Sequence, residues 1–317
     1  MKIQLAHKFE SVINLDNLLS AWQEFQLHLM DNILELHNEL VSFTYQHGGY
    51  QAFNISDPKP RNIHKATVRD RLLHHAIYTI LYPFFDKTFI ADSFSCRKNK
   101  GTHKAINCFR SLAYQVSQNN TKTCWILKCD IRKFFASIDH KILLKILAEC
   151  IPDKNILWLL RNIIDSFHVK SDVGLPLGNL TSQLLVNIYM NEFDQFIKHQ
   201  LKARYYIRYA DDFVILSDDK NQLEKLILVI KEFLNDKLKL SLHKDKIFIK
   251  TLYSGVDFLG WVHFEDHRIL RTTTKRRMVK RIRESPRPET INSYLGLLRH
   301  GNTQKIRQIV YSLEPSS

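Results

Sequence analysis

Two short apolar segments joined through a pair of acidic residues constrain the fold more than any other feature of the sequence. The segment 204–216 reads RYYIRYADDFVIL, and we interpret Arg204–Tyr209 and Phe213–Leu216 as two β-strands. Ala210–Asp212 then falls where a tight hairpin turn would lie. Two carboxylates at such a turn repel each other, and a divalent cation would relieve the repulsion. Hard, oxygen-seeking Mg²⁺ suits such a site.

A third carboxylate ends another apolar run. Asp130 closes the segment that begins Trp125-Ile126-Leu127 and is followed by an aromatic pair. Taken alone, an aspartate after an apolar run is usually a strand end or a helix cap. Together with Asp211 and Asp212, however, it forms a trio from two strand ends that can hold two metal ions a few ångströms apart. That arrangement suits in-line displacement at a phosphorus centre.

The balance of charge points to a polyanionic partner. Lys and Arg number 46 against 32 Asp and Glu, which gives a formal net charge of +14. No apolar run approaches the roughly 20 residues of a membrane span, and the N-terminus lacks a signal-peptide core. We therefore expect nucleic acid, and no membrane, as the partner. Five cysteines without a CxxC pair indicate reduced thiols and a cytosolic protein.

Local patterns predict the surrounding elements. Helical periodicity runs through residues 10–42, with Leu18, Leu19 and Trp22 among its apolar positions. A helix over 179–201 is expected, capped by Asn179 or Thr181. Residues 255–263 read as one strand around a glycine. The order of strands and helices is typical of an α+β fold.

The Tyr-Ala-Asp-Asp box, Asp130 and the pair Phe134-Phe135 together resemble the palm domain of reverse transcriptases, whose hallmark is Tyr-x-Asp-Asp. The resemblance implies an α+β right-hand polymerase of fingers, palm and thumb, with an antiparallel palm sheet and a short helical thumb. It divides the chain into an N-terminal helical or fingers extension (1–63), a fingers and palm catalytic domain (64–267) and a basic helical thumb (268–317). The thumb would grip a duplex backbone; the alternative for its basic run is a solvated face.

The resemblance also implies roles for the acidic residues. Asp130 and Asp211 would bridge two Mg²⁺ ions, with Mn²⁺ as an alternative, and Asp212 would help to fix the primer-side ion. The peptide carbonyl of Ile131 would complete one metal shell. One ion would activate the primer 3′-hydroxyl, and the other would neutralise the triphosphate and the leaving pyrophosphate. Lys246 lies where the family has a basic residue that could protonate pyrophosphate, although a solvated lysine on an edge strand is an equal alternative.

Further positions match motifs that line the template and nucleotide path of the family. Arg69 lies in RDRLLHH, and Arg97 and Lys100 lie in SFSCRKNKGTHKAI, where cations could fold over a triphosphate. Phe135, five residues after Asp130, would stack under the incoming sugar and exclude a 2′-hydroxyl. Its neighbour Phe134 would then be a core residue, because adjacent strand residues face opposite ways.

The segment GLPLGNLTSQ, residues 174–183, discriminates between subfamilies. It resembles the segment that shapes the pocket around the templating base, where Gly178 would let backbone approach the base pair closely. Group II intron enzymes read Pro-Gln-Gly and then Ser-Pro there. Leu177-Gly178 and Ser182-Gln183 are instead the variant of diversity-generating retroelement reverse transcriptases, which is associated with errors opposite template adenine. Leu177 cannot form the hydrogen bonds of a glutamine, so wrong pairs are penalised less.

The sequence thus predicts an RNA-directed DNA polymerase of a diversity-generating retroelement, in the cytoplasm of a bacterium or of a phage's bacterial host. It would copy a template-repeat RNA into adenine-mutagenised cDNA, using a DNA or RNA primer, dNTPs and a small basic helical accessory protein. One alternative is another bacterial reverse transcriptase, group II-like or of the phage-defence type. A non-catalytic RNA-binding relative is the other, and the intact acidic trio argues against it.

Overall fold

The computed structural model describes residues 23, 25–56 and 59–313. The predicted positions Leu18, Leu19 and Trp22 lie outside these described residues. The chain separates into two compact units, each made of three stretches: a first unit of 1–90, 131–196 and 231–241, and a second unit of 91–130, 197–230 and 242–317. This packing does not test the predicted boundaries at 63/64 and 267/268, which stay predictions. Among the described helices, none is both long and apolar enough to cross a membrane.

The described chain contains both helices and strands, which follow one another mostly in runs of two or more of the same kind. The α-helices are α1 (Leu29–Val41), α2 (Val68–Asp86), α3 (Thr102–Val116), α4 (His140–Cys150), α5 (Lys154–Asp165), α6 (Leu180–Gln195), α7 (Lys220–Leu238), α8 (Thr272–Glu284), α9 (Pro288–Leu298) and α10 (Gln304–Tyr311). The strands are β1 (Tyr50–Ile55), β2 (Arg61–Ala66), β3 (Trp125–Asp130), β4 (Tyr206–Tyr209), β5 (Asp212–Ser217), β6 (Phe248–Thr251), β7 (Val256–Phe258), β8 (Trp261–His263) and β9 (Arg268–Leu270). The α+β class is therefore confirmed.

The first unit is mainly helical, with one antiparallel hairpin of β1 and β2. Helix α6 packs on α2, and it continues into a π-helical turn at Phe196–Gln200. The predicted cap position is confirmed, because Asn179 is the N-cap residue of α6, but its side chain makes no capping hydrogen bond. That amide instead donates to the His64 carbonyl (2.8 Å) and accepts from the Ala66 N–H (3.3 Å). Asn179 thus ties the start of α6 to β2.

The second unit is built around a four-stranded antiparallel sheet in the order β4-β5-β3-β6. Helix α3 packs on β4 and β5. Ile126, Val214 and Leu216 are buried in the resulting core with Phe109 of α3. These strands are the segments that the apolar runs predicted. The acidic residues lie at the strand ends, so the buried core fixes where the acidic residues lie.

Residues 255–263 form a hairpin, which corrects the expectation of one strand. Phe258 of β7 pairs with Trp261 of β8, and β9 adds a third strand. The two turn residues Leu259 and Gly260 have φ values of 52° and 88°. Positive φ at both central residues is what a tight two-residue hairpin needs, but leucine is a rare occupant of such a turn. The sequence signal for the turn was therefore weak.

Helices α8, α9 and α10 pack around a separate apolar cluster of the second unit that includes Met278, Ile291 and Val310. Trp261 is buried in the same cluster. On α8 the side chains of Arg276, Lys280 and Arg283 are exposed. The helical spacing read from the sequence thus produces a basic, solvent-facing stripe.

A substitution at Gly178 tests how the segment before α6 packs. Its φ is 109°, and a Cβ there would lie 2.7 Å from Ile63 Cγ2. Because both the backbone and the space oppose a side chain, Gly178→Ala should lower the free energy of unfolding by about 1–3 kcal/mol. Urea denaturation followed by circular dichroism measures it.

The matched control is Gly296→Ala, since Gly296 lies within α9 and a Cβ there would meet nothing within 4 Å. It should leave stability unchanged or raise it by up to about 1 kcal/mol. Equal stability of the two variants would contradict the packing described for Gly178.

Candidate active site

A two-residue turn carries the first acidic residue of the site. Tyr209 pairs with Asp212, so that Ala210 and Asp211 alone connect β4 to β5. Strand β4 begins at Tyr206, two residues later than predicted, and β5 begins at Asp212, one residue earlier than predicted. Ala210 has φ 56°, a left-handed conformation that costs a non-glycine residue roughly 1–2 kcal/mol. The turn is therefore tight and strained, and it holds Asp211 at the tip of the hairpin.

The other two acidic residues face each other across the sheet. In the antiparallel register of β3 and β5, Asp130 is the direct partner of Asp212. Such cross-strand partners have Cβ atoms about 4.5–5.5 Å apart. Asp130 is only 9% exposed, and Asp212 is half-buried. The structure thus brings together, at one end of the strands β3, β4 and β5, the three carboxylates that the sequence singled out.

Two lysines lie on these carboxylates. The Lys246 ammonium is 2.9 Å from both carboxylate oxygens of Asp130. Lys246 belongs to a short 3₁₀ turn, Lys244–Lys246, which packs against β3. Lys128 Nζ is 3.7 Å from Asp212 Oδ1 and donates to the Asp257 carbonyl at 3.0 Å. Sequence reasoning found Lys246 but missed Lys128, whose signal is a lysine inside an apolar strand two residues before Asp130.

The electrostatics of the site are visible at Asp211. Burial, followed by the neighbouring charges of Asp212 and Asp130, raises the pKa of the Asp211 carboxyl to about 6. A backbone hydrogen bond and the Lys246 ammonium oppose that rise. Because neighbouring negative charge makes the ionisation of Asp211 harder, the three carboxylates form a group of concentrated negative charge. Such a group favours a bound cation.

The donor set fits a hard divalent metal ion. Three carboxylates supply the oxygen ligands that Mg²⁺ prefers. Across the described ranges, no three His, Cys, Asp or Glu side chains are arranged so that they could hold a metal ion. In this conformation Asp130 is held by Lys246 instead. A metal ion bound by all three acids would therefore take the place of Lys246 as the partner of Asp130.

The predicted nucleotide-binding cations of the second unit lie on a loop that is braced internally. Arg97 donates to the Ser93 carbonyl at 3.0 Å, and Lys100 donates to the Ala91 carbonyl at 2.7 Å. Lys100 also lies 4.9 Å from the centre of the Phe94 ring. Both side chains are half-buried. Their role toward a triphosphate stays a prediction.

Phe134 and Phe135 differ in burial, but for another reason than predicted. They lie in a 3₁₀ helix, Phe134–Ser137, rather than in a strand. Phe134 is buried and Phe135 is half-buried, with their rings edge to face at 5.6 Å. The helical turn, not strand alternation, directs the two rings differently. The role of Phe135 as a sugar gate stays a prediction.

The remaining predicted residues also lie in the first unit. Arg69 on α2 pairs with Glu39 and lies over the Tyr45 ring, so its charge is already engaged. Leu177 is half-buried, and its carbonyl accepts from the His64 N–H at 2.9 Å. Of the last three, Gly178 is exposed, Gln183 is half-buried and Ile131 is buried.

The raised pKa of Asp211 makes stability depend on pH. A carboxyl whose pKa is about 6 when folded and about 3.8 when unfolded binds more protons in the folded state between these values. Stability is therefore lost as the pH rises from about 4 to about 6. Without metal, Asp211→Asn should be more stable than the wild type at pH 8 by at most about 3 kcal/mol, and the gain should vanish near pH 4.

Urea denaturation in EDTA at several pH values measures this difference. Asp218→Asn, a change at an exposed position just after β5, is the matched control and should show no such pH dependence. A stability difference for Asp211→Asn that is constant with pH would rule out the electrostatic explanation.

Comparison with known proteins agrees with this geometry. Residues 56–263 match the family model described as "Reverse transcriptase (RNA-dependent DNA polymerase)". The chain is 29% identical over 293 residues to Protein YkfC of Escherichia coli (strain K12), covering 79% of this chain and 74% of that protein. It is 23% identical over 321 residues to the group II intron-encoded protein LtrA of Lactococcus lactis subsp. cremoris, covering 80% and 51%.

A solved structure shows the same fold. Telomerase from Candida albicans aligns with a TM-score of 0.55 at 13% sequence identity, covering 79% of this chain and 54% of that one. The chain thus spans about half the length of both LtrA and this telomerase. The right-hand polymerase fold is confirmed, and RNA-directed DNA polymerisation is the activity of the matched family. The family model, matched over most of the chain, places this protein in the reverse transcriptase family.

Proposed function

We propose that this chain copies an RNA template into cDNA by metal-dependent nucleotidyl transfer. The observation that carries the proposal is the pairing of Asp130 with Asp212 across the sheet, with Asp211 at the adjoining turn, inside the segment that matches the family. These three carboxylates are the only acids that the proposal requires as metal ligands. Template RNA, a DNA or RNA primer and dNTPs are the proposed substrates.

The proposed cofactor is Mg²⁺, as two ions, with Mn²⁺ as a substitute. Reverse transcriptases generally use divalent metal ions. Bound metal would lower the pKa of the attacking hydroxyl and offset the charge of the phosphates. The protein's own part is to hold the ligands in place and to manage protons. Lys246, released from Asp130 when metal binds, would carry a proton that it can give to the leaving pyrophosphate.

For the subfamily, we propose a diversity-generating retroelement enzyme, acting in the cytoplasm of a bacterial cell on a template-repeat RNA. Leu177-Gly178 and Ser182-Gln183 support it. Leu177 is half-buried, its carbonyl accepts from the His64 N–H of β2, and the proposal assigns its side chain to the contact with a template base. An apolar residue there would penalise mispairs with adenine less than a glutamine would. A small basic helical accessory protein is the proposed partner.

A group II-like enzyme is the second candidate function. The similarity to LtrA over 80% of this chain favours it. The two candidates share the carboxylate site and differ in fidelity opposite template adenine. Fidelity therefore discriminates between them.

The carboxylate site is tested by Asp211→Asn, which removes a metal ligand without adding bulk. Primer extension on a defined RNA template with Mg²⁺ should fall by at least about 100-fold, since a catalytic metal ligand contributes several kcal/mol. Binding of the same template–primer, measured by fluorescence anisotropy, should stay within about twofold of the wild type, because no phosphate contact is removed.

Asp218→Asn serves as the control, because it makes the same chemical change at the far end of β5. It should leave extension unchanged. Wild-type extension by Asp211→Asn would exclude Asp211 as a metal ligand, whereas equal loss of binding and extension would indicate misfolding instead.

The subfamily is tested by Leu177→Gln, with Leu177→Met as the apolar control. We expect fewer misincorporations opposite adenine in Leu177→Gln, with a gain of about 1–3 kcal/mol at most in discrimination, and smaller changes opposite the other bases. Sequencing cDNA copied from one defined RNA measures the error spectrum. A wild type that is accurate opposite adenine would refute the retroelement proposal and leave the group II-like candidate.

A further inference from the structure

A buried guanidinium lies behind the turn that carries Asp211. Arg208, on β4, is only 1% exposed. Arginine is almost never fully buried unless its donors are engaged. Its Nη1 donates to the Ala210 carbonyl at 3.2 Å, and its Nη2 donates to Ser93 Oγ at 3.2 Å. One side chain therefore holds both the turn and a residue from a distant part of the sequence.

The residue that Nη2 contacts, Ser93, lies in the loop of residues 91–101, which also carries Arg97 and Lys100. The backbone of Arg208 also binds this loop: its N–H donates to the Asp92 carbonyl, and its carbonyl accepts from the Phe94 N–H, both at 3.0 Å. Ser93 is fully buried between these bonds. The 91–101 loop is thus attached to β4 at the position of Arg208.

The loop is stiff enough for this attachment to matter. Arg97 and Lys100 each donate to a carbonyl of the loop itself, and the Gly101 N–H closes it onto the Phe94 carbonyl at 3.0 Å. The position of the 91–101 loop then depends on its attachment to Arg208. Movement of the Arg208 side chain would shift the loop and the Ala210–Asp211 turn together.

We infer that Arg208 is a positioning residue for the polymerase reaction, which fixes the Ala210–Asp211 turn and the 91–101 loop in one geometry. The inference rests on the proposed function, because it assigns Asp211 to metal and the loop cations to the triphosphate. Arg208 acts through these groups and does not itself contact substrate. Only arginine suits the role, since its planar fork supplies donors in two directions, whereas lysine presents one nitrogen.

The test uses primer extension by the full chain with Arg208→Gln and Arg208→Lys. Misplacing a catalytic group by about 1 Å costs on the order of 100-fold, so Arg208→Gln should lower kcat by about that factor and raise the Mg²⁺ concentration needed for half-maximal extension. Arg208→Lys should recover part of kcat, because its single nitrogen can reach one of the two acceptors. Ser93→Ala, which loosens only the loop side, should raise the KM for dNTP and leave kcat nearly unchanged.

The control for general destabilisation is Ile207→Val, a core truncation at the neighbouring buried position of β4. It should lower the melting temperature without changing kcat or the Mg²⁺ requirement. If Arg208→Gln matched Ile207→Val in both kinetic quantities, Arg208 would be a structural residue only and the inference would be overturned.

Hydrogen exchange separates this inference from the proposed function. In Arg208→Gln, peptides covering 91–101 and 204–216 should both exchange faster, and in Ile207→Val the 91–101 peptide should not. Unchanged exchange of the 91–101 peptide in Arg208→Gln would overturn the inference even if the wild type is active. A wild type that extends no primer would contradict the proposed function, while the exchange result would still decide the role of Arg208.

Discussion

The antiparallel register of β3 and β5 is the constraint on which the carboxylate site depends. It places Asp130 opposite Asp212, and a slip of one residue would turn one of them to the other face of the sheet. Apolar pairs further along the same strands, such as Ile126 with Leu216, are buried and fix the register. The hydrophobic core of the second unit therefore determines the distance between acids that lie at its edge.

The same register explains why a lysine accompanies the acids. Lys128 precedes Asp130 by two residues, so both side chains leave β3 on the same face. Its cross-strand partner is Val214, which makes Asp212 its diagonal neighbour. Lys128 and Lys246 offset part of the repulsion among three clustered carboxylates, yet the pKa of Asp211 remains raised. Repulsion among the three carboxylates and the strained φ of Ala210 therefore remain together at the β4–β5 turn. Such unrelieved strain is typical of a site kept for chemistry rather than for stability.

The features that the sequence predicted well are local ones. Strand–turn–strand periodicity located the β4–β5 hairpin, and an apolar run located β3 with Asp130 at its end. The errors arose where the local signal was weak. Leucine is a rare occupant of a turn position with positive φ, so the turn at Leu259 and Gly260 reads as part of a continuous strand.

Long-range partners were equally hidden from the sequence. The contacts of Arg208 with Ser93 and of Lys246 with Asp130 each join residues more than 100 positions apart. Periodicity finds the strand on which Arg208 lies, but only the fold shows which groups its donors reach. An arginine within a largely apolar strand segment was the available sequence signal, because a charge that is buried there requires partners.

The polar contacts of the carboxylate site extend beyond the acids to the basic helix α8. Lys128 lies between Asp212 and the carbonyl of Asp257, and the Asp257 carboxylate pairs with Arg271, the residue that precedes α8. The shorter contact of Lys128 is the one to β7, at 3.0 Å against 3.7 Å. A cation on Asp212 would weaken the longer contact by repulsion and leave the shorter one, since like charges compete for the same carboxylate. Lys128 would then retain its contact to β7, the strand on which Asp257 pairs with Arg271, so charge at the carboxylates is linked to the residue that precedes the basic helix.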